Sequence, residues 1–400
     1  MMGIIFWLCV ALILYAYFGY PLLVALFARL RPKSPKYVLS DSELPTVTLL
    51  IAAYNEQAVI ERKLENTLAL DYPRDCLQIL VAADGSNDAT PAIVQSFADR
   101  GVELAYSPAR AGKMAAINRA MGLARGEIVV MSDANNMYEA KGLRALVAPF
   151  RDRQVGATSG AKTILRGDGV LGESEGLYWK YESFIKKQEN RLGSTTGVVG
   201  EMLAIRRELF EPAPAWVIND DFHMAMQVVR KGFRVLYVPE ARSYERVSLT
   251  AQDEMARRAR IVAGRFTVMA NPRETLPFNR PLVVWQVISH KYLRAFIPLA
   301  MIGALLANVF ALVFVPTVGA AGVFRLAPPF GWIFFALQVA FYAAAWIGGK
   351  IGRAGLFGKI LYIPAFLVNS NLAALSGLIR YLRGSQKATW QRVARREERS

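Results

Sequence analysis

Residues 46–56 read TVTLLIAAYNE: an uncharged run of β-branched, leucine and alanine residues, then the polar Tyr54-Asn55-Glu56. The pattern is that of a buried strand ending in a turn. In open α/β sheets, ligands bind beyond the carboxyl ends of such strands. Many strands end in polar turns, so the surroundings decide. Three more β-rich runs, at 77–82, 127–131 and 234–238, alternate with helical stretches at 59–69, 90–99, 113–124 and 221–231. That alternation predicts βαβ units and a largely parallel sheet. Residues 45–276 are therefore expected to form one soluble α/β domain.

Outside that domain the composition changes. The 400 residues are 54% hydrophobic and only 20% charged, yet 48 Lys and Arg face 32 Asp and Glu, a net charge of +16. So apolar a chain is not disordered, and it is too poor in charge for an ordinary soluble protein. A basic excess points either to nucleic acid or to a membrane protein with its positive charge on the cytoplasmic side. Residues 4–27 carry no charge and are long enough to cross a bilayer core of ~30 Å as a helix. Without a basic leader and a small-x-small site, the segment reads as a retained anchor rather than a signal peptide. Pro21 within it is tolerated in membrane helices. Arg29, Arg31, Lys33 and Lys36 follow at once, which puts the N-terminus outside and the α/β domain in the cytoplasm.

The expected organisation is an N-terminal span at 1–28, a basic linker at 29–44 and the α/β domain at 45–276. An interfacial helix at 277–294 follows, containing Trp285, His290 and Lys291 among aliphatic residues. A membrane region at 295–382 has spans near 296–315 and 330–347, and a basic tail occupies 383–400. Pro364, Asn369, Ser370 and Asn371 interrupt residues 360–379, and basic residues flank them on both sides. This segment is expected to be re-entrant or interfacial, a further span being the alternative. The excess charge thus gathers at membrane edges, and with no nucleic-acid motif present a nucleic-acid partner is not expected.

Cys9 and Cys76 have no paired spacing, and His223 and His290 stand far apart in sequence. A disulfide framework, a thiol-rich zinc site and a multi-histidine site are excluded. Any metal is held mainly by oxygen.

Several clusters carry possible chemistry. In VAADGSNDAT (81–90) Asp84 ends a strand; it either accepts hydrogen bonds from a base or ribose, or belongs to a turn capped by Asn87 or Asp88. In RAGKMAAIN (110–118) Gly112-Lys113 opens a helix, which suits a diphosphate, although a solvated lysine fits too. No P-loop is present. In IVVMSDAN (128–135) Asp133 ends a buried strand, where a carboxylate needs a partner or a cation. In an extended segment Asn135 points to the same side, so the two offer oxygens to Mg²⁺ or Mn²⁺; an Asx-turn is the other use. Asn219-Asp220-Asp221 begins a helix, either as caps or as the source of a general base. Gly193, Gly197 and Gly200 permit close backbone approach, or a flexible loop. Arg257, Arg258 and Arg260 suit phosphate, lipid headgroups or a solvated face.

Taken in order, these motifs resemble membrane-bound glycosyltransferase family 2. The resemblance implies a GT-A fold, Rossmann-like with transmembrane helices at both ends. It also implies a nucleotide-diphospho-sugar donor (a UDP-sugar), a divalent metal (Mg²⁺ or Mn²⁺) and inversion at the anomeric carbon. Tyr54, Glu56 and Asp84 match the uridine positions, and Lys113 the diphosphate position. Asp133 and Asn135 match D-x-D, with Asp133 also facing the donor. Asp221, beside Asp220, matches the catalytic base. Arg257 and Arg260 fall where processive polymerases show Q-x-x-R-W. Gly197, Gly200 and Glu201, with Trp179, take the acceptor side. Three positions depart from the pattern. Ala83 replaces the first Asp of D-D-G-S, Asn135 replaces the second Asp of D-x-D, and Arg257-x-x-Arg260-Ile261 lacks both Gln and Trp.

The expected protein is an inverting sugar transferase in the inner or plasma membrane, with its catalytic domain cytoplasmic. It acts on a polysaccharide or lipid-linked acceptor, alongside possible synthesis or export subunits. Transfer of one sugar to a lipid carrier is the alternative within that class, and a catalytically silent assembly subunit the alternative outside it.

Overall fold

The computed structural model describes residues 1–32, 37–164, 169–214, 216–246, 250–314, 322–351 and 355–386. Lys33, Lys36, residue 315 of the first expected C-terminal span and the tail from 387 lie outside the described residues. The strands are β1 (Val47–Ala53), β2 (Leu77–Asp84), β3 (Val102–Ser107), β4 (Ile128–Asp133), β5 (Met137–Tyr138), β6 (Val155–Ile164), β7 (Leu203–Arg206) and β8 (Arg234–Glu245). The helices are α1 (Met2–Leu14), α2 (Tyr20–Arg29), α3 (Ile60–Leu68), α4 (Thr90–Gln95), α5 (Lys113–Met121), α6 (Gly142–Val147) and α7 (Gly169–Leu192). They continue as α8 (Asp220–Arg230), α9 (Ala251–Ala270), α10 (Pro272–Thr275), α11 (Pro281–Val287), α12 (Leu293–Val313), α13 (Phe330–Ile351) and α14 (Gly355–Leu382).

The chain forms two compact units. One contains Val24–Ala251 and Thr267–Val287, and is built on an eight-stranded sheet in the order β3-β2-β1-β4-β7-β6-β8-β5. β3, β2, β1 and β4 run parallel, as do β6 and β8; β7 is antiparallel to both its neighbours, and β5 to β8. The sheet is thus mixed and mostly parallel. Every residue of β1 is buried, which is why its sequence shows no alternation: helices cover both faces. Ile60, Leu64 and Leu68 form the inward stripe of α3 and join Leu49, Ile51, Val81 and Val130 in the core. Each such side chain contributes roughly 1.5–3 kcal/mol by leaving water. The order 3-2-1-4 reverses chain direction across the sheet at β1, so β1, β2 and β4 end side by side at a switch point.

Several elements differ from expectation. The helix expected at 90–99 stops at Gln95, and a 3₁₀ turn follows at Ala98–Arg100 before Gly101 (φ +84°). β3, β5, β6 and β7 were not expected. β6 hides from a hydrophobicity reading because it buries Thr158 and Ser159, whose hydroxyls are satisfied by Leu146 O (2.7 Å) and Val199 N–H (3.0 Å). β7 buries Arg206, which donates to Val155 O and Phe150 O.

The other unit contains Met1–Leu23, Gln252–Phe266 and Ile288–Gln386. Phe6 packs with Ala304, Ala307, Ala311 and Leu326. Gly348 lets α13 approach α14, since a Cβ there would stand 2.2 Å from Leu361 O. Among the described residues, four helices are long and apolar enough to cross a membrane: Met2–Arg29, Pro281–Val313, Phe330–Lys350 and Ile360–Leu382. Two expectations change here. The stretch expected as a separate interfacial helix runs through a π-helical turn (Ile288–Tyr292) straight into α12. The segment expected to be re-entrant or interfacial, or else a further span, is not interrupted: it lies in one unbroken helix, α14, with Pro364 inside it. Asn371 does not break the helix, because its amide donates to Leu367 O (2.8 Å) and Tyr17 Oη (3.0 Å).

Candidate active site

The site is built at the carboxyl ends of β1, β2 and β4. The turns after β1 and β2 are zipped together. Asn55 N–H donates to Ser86 Oγ (3.1 Å), Glu56 N–H to Thr90 Oγ1 (2.8 Å), and the Asn55 and Asn87 side chains pair at 2.7 Å. Asn55 itself adopts φ +52°, a conformation Asn tolerates better than most residues. Tyr54 follows β1, and the Arg110 guanidinium stacks 3.8 Å from its ring centroid. Glu56 is buried.

Asp84 is buried at the end of β2. Its Oδ2 accepts from the Ala111 (2.9 Å) and Gly112 (2.6 Å) amides. Its Oδ1 is buried, accepts no hydrogen bond among the described residues, and lies 3.6 Å from Arg119 Nη1. Gly112 turns the chain at φ +100°, which presents those amides and starts α5 with Lys113. A shallow cleft lies between these parts, floored by Ala52, Ala53, Ala82 and Ala116 and walled by Tyr54, Asp84, Arg110 and Lys113.

Lys113 Nζ pairs with Asp133 Oδ1 at 2.8 Å and with Asp220 Oδ2 at 3.4 Å. Burial pulls this ammonium down, but Asp133, Asp220 and Asp221 outweigh it and hold it well above its usual value. Asp220 and Asp221 occupy the first turn of α8, where the helix dipole favours carboxylates. The Phe222 amide donates to Asp221 Oδ1 at 2.7 Å. Gly200 stands against Asp221, a Cβ there being 3.3 Å from that of the aspartate. Residues nearly a hundred positions apart thus meet at one cation.

Asp133 and Asn135 do not lie in one extended segment. β4 ends at Asp133 and residues 134–135 turn. Asp133 faces Lys113, while the Asn135 amide donates to Glu245 Oε1 at 3.3 Å. Buried Glu245 pairs closely with Lys162, which lies 3.4 Å from Glu201 Oε1 and 5.7 Å from the Trp179 ring centroid. Asn135, Glu201 and Trp179 are therefore linked through Lys162 and Glu245, neither of which was expected. Gly197 packs on Lys186, whose buried ammonium sits over Trp179 and Tyr237. Among the described residues no three His, Cys, Asp or Glu side chains gather to hold a metal. The oxygens of Asp133 and Asn135 are the right donor type for a hard cation but too few for a full shell. That fits an ion whose remaining ligands come from a diphosphate.

Arg257 is taken up by Glu254, through Nε at 3.0 Å and Nη2 at 2.6 Å, and Arg258 Nε shares the same carboxylate at 3.0 Å. Burial alone would raise Glu254, but Arg257 and Arg258 hold it at about 2. Arg258 also donates to Ser370. Arg260 is half-buried on the same helix, in the unit that contains α12–α14.

Sequence reading also missed Lys63. It is fully buried on α3, donates to Asn136 O at 2.7 Å, and is pushed down to about 7 by burial despite the nearby Asp133. A lysine in an otherwise apolar helix stripe was the available signal.

A family model described as glycosyltransferase like family 2 matches residues 45–270, more than half of the chain. A probable glycosyltransferase, YdaM of Bacillus subtilis, is 28% identical over 233 residues, covering 53% of each chain. A beta-monoglucosyldiacylglycerol synthase of Trichormus variabilis is 27% identical over 206 residues, 50% of this chain and 44% of its own. A poly-beta-1,6-N-acetyl-D-glucosamine synthase of Staphylococcus aureus is 25% identical over 240 residues, 58% and 57%. The chain spans about half the length of the curated relatives it matches. Among solved structures, a mannosyltransferase of Pyrobaculum calidifontis in complex with GDP-Man and Mn²⁺ shares the fold with a TM-score of 0.68. It is 24% identical, with 96% of this chain and 99% of that one covered. With the matched region running from just before β1 to the end of α9, the chain belongs to glycosyltransferase family 2.

Proposed function

We propose that the protein is a membrane glycosyltransferase. It moves a sugar from a UDP-sugar, with inversion, to a polysaccharide or lipid-linked acceptor at the cytoplasmic membrane face. The observation that carries this reading is the meeting of Lys113 with Asp133 and Asp220 at the carboxyl edge of the sheet. A cation, an oxygen pair and a helix-start carboxylate are what an anionic leaving group and a hydroxyl nucleophile need.

Tyr54, Glu56 and Asp84 hold the uridine, with Asp84 Oδ1 as the acceptor facing the base. Lys113 binds the diphosphate. Asp133 and Asn135 hold Mg²⁺ or Mn²⁺, which supplies Lewis-acid neutralisation of the diphosphate when bound. Gly197, Gly200, Glu201 and Trp179 line the acceptor side. Asp221, with Asp220 beside it, takes the proton from the acceptor hydroxyl. That oxygen bonds to the anomeric carbon as the bond to the β-phosphate oxygen breaks, and the electron pair leaves on UDP, where Lys113 receives the charge. The Mn²⁺ in the Pyrobaculum complex, whose donor is GDP-Man, is consistent with the metal, and the lipid and polysaccharide products in the relatives' names with the acceptor classes.

Single transfer to a lipid carrier is the second reading. It is favoured by the absent Gln and Trp around Arg260 and by the pairing of Arg257 with Glu254. Membranes containing the protein, incubated with labelled nucleotide sugars and Mg²⁺ or Mn²⁺, test both. A product ladder supports polymerisation, and one glycolipid supports single transfer. No donor consumption across the panel leaves a silent assembly subunit instead.

A further inference from the structure

Lys63 has no part in the chemistry above, yet its side chain is wholly buried. Burying an ammonium costs several kcal/mol where a methionine of similar length would cost nothing. Its contacts show what it holds. Nζ donates to Asn136 O (2.7 Å), reaches Asn136 Oδ1 (3.4 Å), and lies 4.3 Å from the centre of the Tyr138 ring. One turn on, Asn66 grips Tyr138 by both main-chain groups, accepting from its amide (2.8 Å) and donating to its carbonyl (3.0 Å). The gripped segment grips another in turn. Asn136 Nδ2 (2.9 Å) and Tyr138 Oη (2.8 Å) both donate to Glu201 O. Glu201 follows Gly200, which packs on Asp221.

We propose that Lys63 is a positioning residue. Its buried amino group fixes the turn carrying Asp133 and Asn135 and, through Asn136, the Gly200–Glu201 turn, so that the donor and acceptor sides keep one geometry. This rests on the reading that Asp133 and Asn135 serve sugar transfer.

The test compares full-length wild type with Lys63→Met in lipid nanodiscs. Hydrogen exchange is expected to quicken by about tenfold in peptides covering 132–139 and 199–203, with β2 unchanged. The donor KM and the Mn²⁺ concentration for half-maximal rate are expected to rise about tenfold, with kcat within about threefold. Unchanged exchange overturns the proposal. So does faster exchange with unchanged KM and metal dependence, or a loss of kcat alone that tracks the folded fraction. Should Lys63→Met not fold, Asn136→Ala keeps the lysine's main-chain partner and removes one of the two donors to Glu201 O, leaving that of Tyr138. It should quicken exchange at 199–203 and raise the acceptor KM, and no change in either overturns the proposal. A wild type that consumes no donor sinks the sugar-transfer reading, while the exchange result still decides what Lys63 holds.

Discussion

Lys113 stands 2.8 Å from Asp133 and 3.4 Å from Asp220, so one ammonium joins the end of β4 to the start of α8. A cation placed on Asp133 must share it with Lys113, and a diphosphate gives that ammonium a new anionic partner. Lys113→Met removes both the partner of two carboxylates and the charge facing the leaving group. It should lower kcat/KM by about 10²–10³-fold, the usual loss for a preorganised electrostatic contact. Steady-state donor turnover checks this, and a loss under tenfold counts against the assigned role. The Lys113 value is raised, so its stabilising contribution is complete below the ordinary 10.5 and is lost only as pH rises through the higher folded value. The effect of the substitution should not vary between pH 6 and 9.

Asp220 and Asp221 occupy adjacent positions but have different contacts. Asp220 faces Lys113, whereas Asp221 packs against Gly200. Asp221→Asn should keep nucleotide binding and lower transfer by about 10²–10⁴-fold, as expected when a general base is lost. Asp220→Asn should instead weaken donor binding while leaving more of kcat. Calorimetry with UDP alongside single-turnover transfer separates the two. Near wild-type turnover by Asp221→Asn would remove it from the mechanism.

Asp133→Ala should abolish the metal-dependent part of nucleotide binding. In calorimetry, wild type should bind UDP more tightly with Mn²⁺ than without, and the variant should bind equally in both. Asn135→Ala should have the smaller effect, because its amide is turned toward Glu245. Equal losses in the two variants would mean that Asn135 shares the coordination fully.

The positions of Asp84, Lys113, Asp133 and Asp221 were legible because each sits where a regular element begins or ends, and strand and helix ends leave marks in sequence. The buried second layer was not. Lys63, Lys162 and Glu245 gain their roles from partners 73, 83 and 110 residues away, a relationship that local pattern cannot contain. The extended geometry expected to align Asp133 and Asn135 ends early for a related reason. Alternation holds only while a strand continues, and β4 stops at Asp133. In the membrane region, polar residues suggested a broken helix at 360–379. Asn371 satisfies its amide within and between helices, so α14 runs on.

Gly85 links the base pocket to stability. It adopts φ +67°, and a Cβ there would lie 2.6 Å from Arg110 Cβ and 2.7 Å from Arg110 Cα. Gly85→Ala meets both a left-handed backbone and a main-chain clash, so it should cost more than about 1 kcal/mol. The shift also moves Arg110 off the Tyr54 ring. Thermal unfolding should show the loss and calorimetry a weaker affinity for UDP. A melting temperature equal to wild type would mean the turn relaxes freely.

The last prediction concerns pH. Burial pushes Lys63 down to about 7 from its ordinary 10.5, with Asp133 opposing the shift. Between those values the unfolded chain carries a proton at this site and the folded chain does not. Stability should therefore rise with pH across the window, by about 1.4 kcal/mol per pH unit at most. Below about 7 both states are protonated and the contribution is flat, at its least favourable. Lys63→Met removes the titration without removing the bulk. Urea unfolding of wild type and variant in the same detergent, at pH 7 and pH 9.5, should show wild type gaining stability relative to the variant as pH rises. Parallel pH dependences would mean that the ammonium stays charged in the fold, its cost offset by Asn136, the Tyr138 ring and Asp133.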